Sequence, residues 1–175
     1  MNKFKNNSFF TIDFETSNSK RYSACQVAIN VTIDGEIVED FESYIRPPDN
    51  YFQSFTTQIH GITPNITRDK PTFKDIYFDN IVPLFERYDG LNFMVAHNSG
   101  FDKSVFLKTL EYYEVTPKNL NWFCTHQAFR KLGYEKTKLN ILCDKFGIPL
   151  KHHDAKSDTE ATSKLYLEYL KLIEI

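Results

Sequence analysis

The sequence predicts an α/β domain built on a mixed sheet, with three antiparallel strands in a meander followed by strand–helix units. Two stretches predict the meander. Phe9 to Thr16 reads FFTIDFET, an apolar run of residue types that suit a buried, pleated strand. After a polar loop, Cys25, Val27, Ile29, Val31 and Ile33 alternate with Ala24, Gln26, Ala28, Asn30 and Thr32, the period of a strand. A third stretch predicts the strand–helix units. Phe93 to Ala96 runs straight into a tight polar turn and a helix carrying Val105, Phe106, Leu110 and Tyr113.

The remaining elements follow in order. Asp34-Gly35 is a hairpin signal, because Gly accepts a positive φ, and a return strand through Ile37, Val38, Phe41 and Tyr44 ends at Arg46-Pro47-Pro48. Asp49 to Thr72 is expected to be an irregular, structured loop around His60-Gly61-Ile62. Phe73, Ile76, Tyr77, Ile81, Leu84, Phe85 and Tyr88 fall at helical spacing, with Pro83 kinking or splitting that helix and Asp89-Gly90 closing it. Leu120 to Cys124 is a short strand, and Thr125 caps a helix through Ala128, Phe129 and Leu132. Another helix carries Leu139, Leu142, Cys143 and Phe146 and stops at Gly147. The last helix runs through Ala161, Leu165, Tyr169 and Leu172, with Ser157 and Glu160 matching a capping box.

With 175 residues, 41% hydrophobic content, 16 Phe and 10 Tyr, the chain is expected to fold as one domain, residues 1–175 with a core of about 9–170. No apolar run approaches a membrane span, and the N-terminal MNKFKNNS lacks the apolar core of a signal peptide, so a cytoplasmic location is expected. Cys25, Cys124 and Cys143 are odd in number and far apart, which argues against a disulfide framework or a zinc knuckle. A formal charge of -2 gives no global sign of a nucleic-acid partner, yet an acidic site that holds cations can still bind a phosphodiester.

The chemistry concentrates in a few carboxylates. Asp13 and Glu15 stand two positions apart on a strand and so project from one face; two acids so placed share a proton, hold a cation, or are simply solvated at a strand end. Asp102 falls near a helix start, where capping and the helix dipole offer an ordinary explanation. Asp158 shares the apolar stripe of the last helix, at offsets of three, seven, eleven and fourteen from Ala161, Leu165, Tyr169 and Leu172. A charge on a core-facing stripe needs a partner.

Taken together, Asp13-Phe14-Glu15-Thr16, His60-Gly61-Ile62-Thr63, Ala96-His97-Asn98 with Phe101-Asp102, and His153 to Asp158 occur in an order that resembles the DEDDh 3′-to-5′ exonucleases. That superfamily includes the proofreading epsilon subunit of bacterial DNA polymerase III. The resemblance runs from about Phe9 to Leu170. It implies a ribonuclease H-like fold, a mixed five-stranded sheet with helices on both faces. It also implies two divalent cations, Mg²⁺ or Mn²⁺, held by Asp13, Glu15, Asp102 and Asp158, with His153 as general base. His60, Gly61 and Ile62 would line the pocket for the terminal nucleotide, with Thr16 and Asn98 placing the 3′ end and Phe101 also contacting substrate.

The resemblance further implies hydrolysis from the 3′ end of single-stranded DNA, releasing 5′-mononucleotides. RNA 3′ ends are the alternative substrate, and a non-catalytic docking module on a DNA polymerase is the alternative class. By that resemblance, a stand-alone enzyme is expected, because the sequence ends without the C-terminal segment by which a proofreading subunit tethers to its polymerase, with a surface contact to a polymerase left open. Two departures stand out: Ser17-Asn18-Ser19 where many relatives have a Gly-containing turn, and Gln26 where many carry Glu.

Overall fold

In the computed structural model, residues 4–151 and 154–173 are described. Five strands form one sheet in the order β3-β2-β1-β4-β5: β1 (Phe9–Thr16), β2 (Ala24–Ile33), β3 (Glu36–Tyr44), β4 (Phe93–Ala96) and β5 (Asn121–Cys124). The first three pair antiparallel, whereas β1/β4 and β4/β5 are parallel, so the sheet is mixed and ribonuclease H-like. The hairpin turn has Asp34 at φ 49° and Gly35 at φ 88°, two successive positive values that match the twist of the flanking strands.

The helices are α1 (Ser54–His60), α2 (Pro64–Thr67), α3 (Phe73–Ile76), α4 (Val82–Arg87), α5 (Ser99–Tyr112), α6 (Thr125–Lys131), α7 (Leu139–Phe146) and α8 (Ala155–Ile173). The predicted split helix is present: α3 runs through a π-helical turn, Tyr77–Ile81, into α4, and Pro83 sits just past that turn. The segment expected to be irregular instead holds α1 and α2. Helix α1 escapes a periodicity reading because its Phe55 and Ile59 face solvent, and buried Thr56 anchors it by donating from Oγ1 to the Ser17 carbonyl at 2.7 Å. Gly61, at φ 77°, ends it in the left-handed conformation.

Alternation along β1 divides the interior. Phe10, Ile12 and Phe14 enter the main core with Phe73, Ile76 and Phe106, where burial stabilises by roughly 1.5–3 kcal/mol per large side chain. Phe9 points to the other face and meets Tyr166 of α8 edge to face at 4.7 Å. Thr11 shares that face and accepts a hydrogen bond from the Ser163 hydroxyl at 2.8 Å. Helix α8 also packs on α7 around Phe129, Leu142 and Leu165. Both faces of β2 are therefore buried, although only one is apolar.

Three local expectations are corrected. Thr125 is the first residue of α6 rather than its cap, and its hydroxyl pairs with His97 Nδ1 at 2.9 Å. Helix α8 begins before Ser157: the Ser157 N–H donates to Asp154 Oδ1 at 3.1 Å, so Asp154 takes the capping role. Leu172 lies at the solvent end of the α8 stripe, 36% exposed.

Candidate active site

Asp13 and Glu15 project from the α8 side of β1, the central strand, close to its C-terminal end. The first turn of α8 brings Asp158 to them, and the first turn of α5 brings Asp102 from the other side of the sheet. Both helix residues are buried, at 2% exposure for Asp102 and 5% for Asp158. Asp102 does not cap its own helix. Its Oδ1 accepts from the Phe14 N–H at 3.1 Å, because β4 pairs with β1 only through Phe10 and Thr11 and leaves the strand end open to the carboxylate.

The four acids act on one another. Asp13 is pushed well above the usual carboxylate range, first by burial and then by Asp102, Glu15 and Asp158. Glu15 rises to about 8 through burial and the charges of Asp158 and Asp102. Burial also lifts Asp102 to about 8, against the opposing pull of the Phe14 N–H and of Arg21. Such a group favours either protonation or a cation.

Among the described residues, no three His, Cys, Asp or Glu side chains stand as a ready-made metal shell. The fit to divalent ions rests on the donor set: four hard carboxylates, close enough to raise one another's pKa, suit Mg²⁺ or Mn²⁺ better than Zn²⁺. Lys156 does not neutralise them, since it pairs with Asp40 at 2.6 Å.

Around the acids, the His60 ring ties α1 to the end of β1. Its Nδ1 accepts from the Ile62 N–H at 3.0 Å, which assigns the proton to Nε2 and lets that nitrogen donate to the Thr16 carbonyl at 3.2 Å. Ile62 is buried and Gly61 is exposed. Beside them lies a cavity of about 280 Å³ whose lining includes Gln26, Tyr44, His60 and Ile62 together with the charged pair Lys151 and Asp154. Gln26 is the cross-strand neighbour of Glu15, and its amide donates to Glu42 at 2.7 Å.

Asn98, at φ 62°, turns the chain from β4 into α5, and half-buried Phe101 follows. His153 lies outside the described residues. The loop Ser17-Asn18-Ser19 is pinned by polar contacts in place of a glycine turn: Asn18 Nδ2 donates to the Tyr51 carbonyl at 3.2 Å and the Ser19 N–H to Gln53 Oε1 at 2.8 Å. Arg21 in the same loop belongs to no motif of the sequence, and its guanidinium lies 4.4 Å from the Phe101 ring centre. A lone basic residue in a polar loop carries no signal until the fold sets it beside Asp102.

A five-stranded mixed sheet with acids gathered at the end of its central strand defines the ribonuclease H-like nucleases as a class. Within that class, the RNase T exonuclease family model matches residues 10–166, and the chain belongs to this family as a DEDDh-type, DnaQ-like 3′-to-5′ exonuclease domain. Its relatives include the DNA polymerase III PolC-type of Clostridium perfringens, 30% identical over 90% of this chain and 11% of that protein. The chain spans about a tenth of the length of the PolC-type relatives it matches.

Among solved structures, exonuclease X in complex with 5′ overhanging duplex DNA is similar with a TM-score of 0.75 and 25% identity, covering 95% of this chain and 93% of that one. The nuclease domain of 3′hExo, a DEDDh family member bound to rAMP, shares the fold with a TM-score of 0.79 at 17% identity, over 94% and 92% of the two chains. No described helix is long and apolar enough to cross a membrane.

Proposed function

We propose that this chain, as a single exonuclease domain, hydrolyses phosphodiester bonds from the 3′ end of single-stranded DNA and releases 5′-mononucleotides. The observation that carries the reading is the convergence of Asp13, Glu15, Asp102 and Asp158, three of which are pushed up by burial and by one another. A scaffold has no use for such a cluster. These four residues would hold two divalent ions, Mg²⁺ or Mn²⁺, which would supply charge screening of the phosphate, acidification of a water and stabilisation of the departing 3′-oxygen.

The chain's own groups supply the rest. His153 takes the proton of the attacking water, a task suited to an imidazole with an ordinary pKa of ~6.5. The Phe14 N–H fixes the Asp102 carboxylate, so that group is oriented before substrate arrives. The His60 ring holds its loop against Thr16, which supports the neighbouring cavity as a rigid pocket for the terminal nucleotide. Thr16, Asn98 and Phe101 place the 3′ end. Association with a DNA polymerase is a further part of the reading, supported by the PolC-type relatives.

The test is hydrolysis of a 5′-labelled single-stranded DNA oligomer and its RNA counterpart in Mg²⁺, Mn²⁺ or EDTA, with Asp13→Ala and His153→Ala beside the wild type. A metal-dependent ladder shortening from the 3′ end, lost in both variants and faster on DNA, is expected. A folded, Mn²⁺-binding protein that cleaves neither oligomer would overturn the reading, and faster cleavage of RNA would overturn its choice of sugar.

A further inference from the structure

We propose that Arg21 is a phosphate-binding residue at the rim of the site, and that Lys20, Tyr22 and Tyr112 continue from it as a shelf for the single strand. The inference deepens the exonuclease reading and rests on it.

Arg21 is exposed, and its guanidinium lies over Phe101, the residue adjacent to Asp102. Among the described residues it makes no ion pair. A structural arginine at the Asp102 end of α5 would bridge to a carboxylate. Arg21 is held by an aromatic face instead, and a stacked guanidinium keeps its edge of N–H donors available for a planar or tetrahedral anion. Phosphate is the anion such a fork suits, and one that the neighbouring carboxylates would otherwise repel.

The backbone of this loop is fixed. The Thr109 hydroxyl donates to the Arg21 carbonyl at 3.3 Å, and the Ser23 hydroxyl donates to the Lys20 carbonyl at 2.6 Å. Preorganisation of this kind lowers the ordering cost of binding. Next to Arg21, the Tyr22 and Tyr112 rings stack at 4.9 Å with 14° between their planes, and Lys20 Nζ lies 5.5 Å from the Tyr22 ring centre. Tyr112 is 49% exposed. Interleaved cations and aromatic faces bind single strands without sequence preference, the cations on phosphates and the rings on bases.

The experiment reads binding without turnover. Fluorescence anisotropy of a 5′-fluorescein dT10 oligomer is measured in Ca²⁺ against wild type, Arg21→Ala, Arg21→Lys and, as a control of equal charge change, Lys171→Ala. Three further oligomers carry a neutral methylphosphonate at one of the last three linkages. Arg21→Ala is expected to weaken binding about 10-fold, with partial recovery in Arg21→Lys and no change in Lys171→Ala. The slope of log K against log salt should become shallower by about 0.7, the value of one single-strand phosphate contact. On one methylphosphonate oligomer the Arg21→Ala penalty should vanish, because the partner charge is already gone.

Wild-type affinity in Arg21→Ala, a penalty equal on all oligomers with an unchanged salt slope, or no binding by the wild type would each overturn the inference. The two readings fail separately. An active enzyme whose binding ignores Arg21 refutes only the rim site, and an inactive protein that needs Arg21 to bind refutes only the exonuclease.

Discussion

Removing divalent ions and raising the pH sets the acids of the site against one another, and stability should fall. Asp102 and Glu15 are each pushed up to about 8 in the folded chain, chiefly by burial, from ordinary values of 3.8 and 4.5. The folded state therefore holds protons that the unfolded chain has released. Stability from these groups is complete below their unfolded values and is lost as pH climbs through the folded ones. One such group loses ~1.4 kcal/mol per pH unit, or ~4 kcal/mol between pH 5 and 8. Because the acids are neighbours, their losses do not add, and ~4 kcal/mol serves for the cluster as a whole. At roughly 2–4 °C per kcal/mol for a domain of this size, the melting midpoint in EDTA should drop by about 8–16 °C. Asp75, held below the usual range by the Thr72 hydroxyl and N–H, changes only at lower pH and does not confuse the window.

The assay is thermal unfolding in EDTA at each pH unit from 5 to 8, repeated at pH 8 with excess Mn²⁺. Asp102→Asn keeps an oxygen to accept from the Phe14 N–H but cannot ionise, so its curve should be flatter and its midpoint at pH 8 higher than wild type. Mn²⁺ should restore the wild type at pH 8. A flat wild-type curve in EDTA, or no response to Mn²⁺, would refute both the electrostatic reasoning and the metal site built on it.

Three other outcomes follow from particular residues. His153→Ala should lower kcat by about 10²- to 10⁴-fold in a Mg²⁺-dependent exonuclease assay, with an unchanged melting midpoint. Gly61→Ala meets no atom within 4 Å, so its cost is the strain at φ 77° alone, about 1–2 kcal/mol by denaturant unfolding. Phe106→Ala, fully buried in the main core against Phe73, Tyr77 and Trp122, should cost ~3–5 kcal/mol in the same assay.

The sheet could be read from the sequence because its signals are local. Period-two alternation in β2, a Gly with positive φ after Asp34 and an apolar β4 running into a turn each need only neighbours. What escaped depended on partners distant in the chain. Thr125 looked like a cap, but the fold sets it against His97, 28 residues away, and its hydroxyl goes there. Asp102 reads locally as a helix-start acid, and although the resemblance places it among the metal ligands, its bond from the Phe14 N–H at the unpaired end of β1, 88 residues earlier, could not be read from its neighbours. Arg21 carried no motif, since its meaning lies in Phe101 beneath it. Helix α1 hid because its apolar residues face outward and its anchor is a threonine.

The polar face of the sheet explains why the acids can meet at all. On β1 and β2 it presents Thr11, Asp13 and Glu15 beside Gln26, Ala28 and Asn30, and α8 covers it with small residues, among them Ala155, Thr159 and Ser163. A cover of Leu and Phe would bury more apolar area but hold the helix farther from the strand. Here a short bond joins the two surfaces, from the Ser163 hydroxyl to Thr11 at 2.8 Å, so close approach leaves those two hydroxyls satisfied. Phe9 with Tyr166 at one end, and Leu165 with the α6 and α7 residues alongside, supply the apolar attachment that the middle of the interface gives up. That division of labour lets the first turn of α8 sit against the end of β1, where Asp158 raises the pKa of both Asp13 and Glu15. The alternation that builds the core on one side of β1 is thus the same alternation that collects the charge on the other.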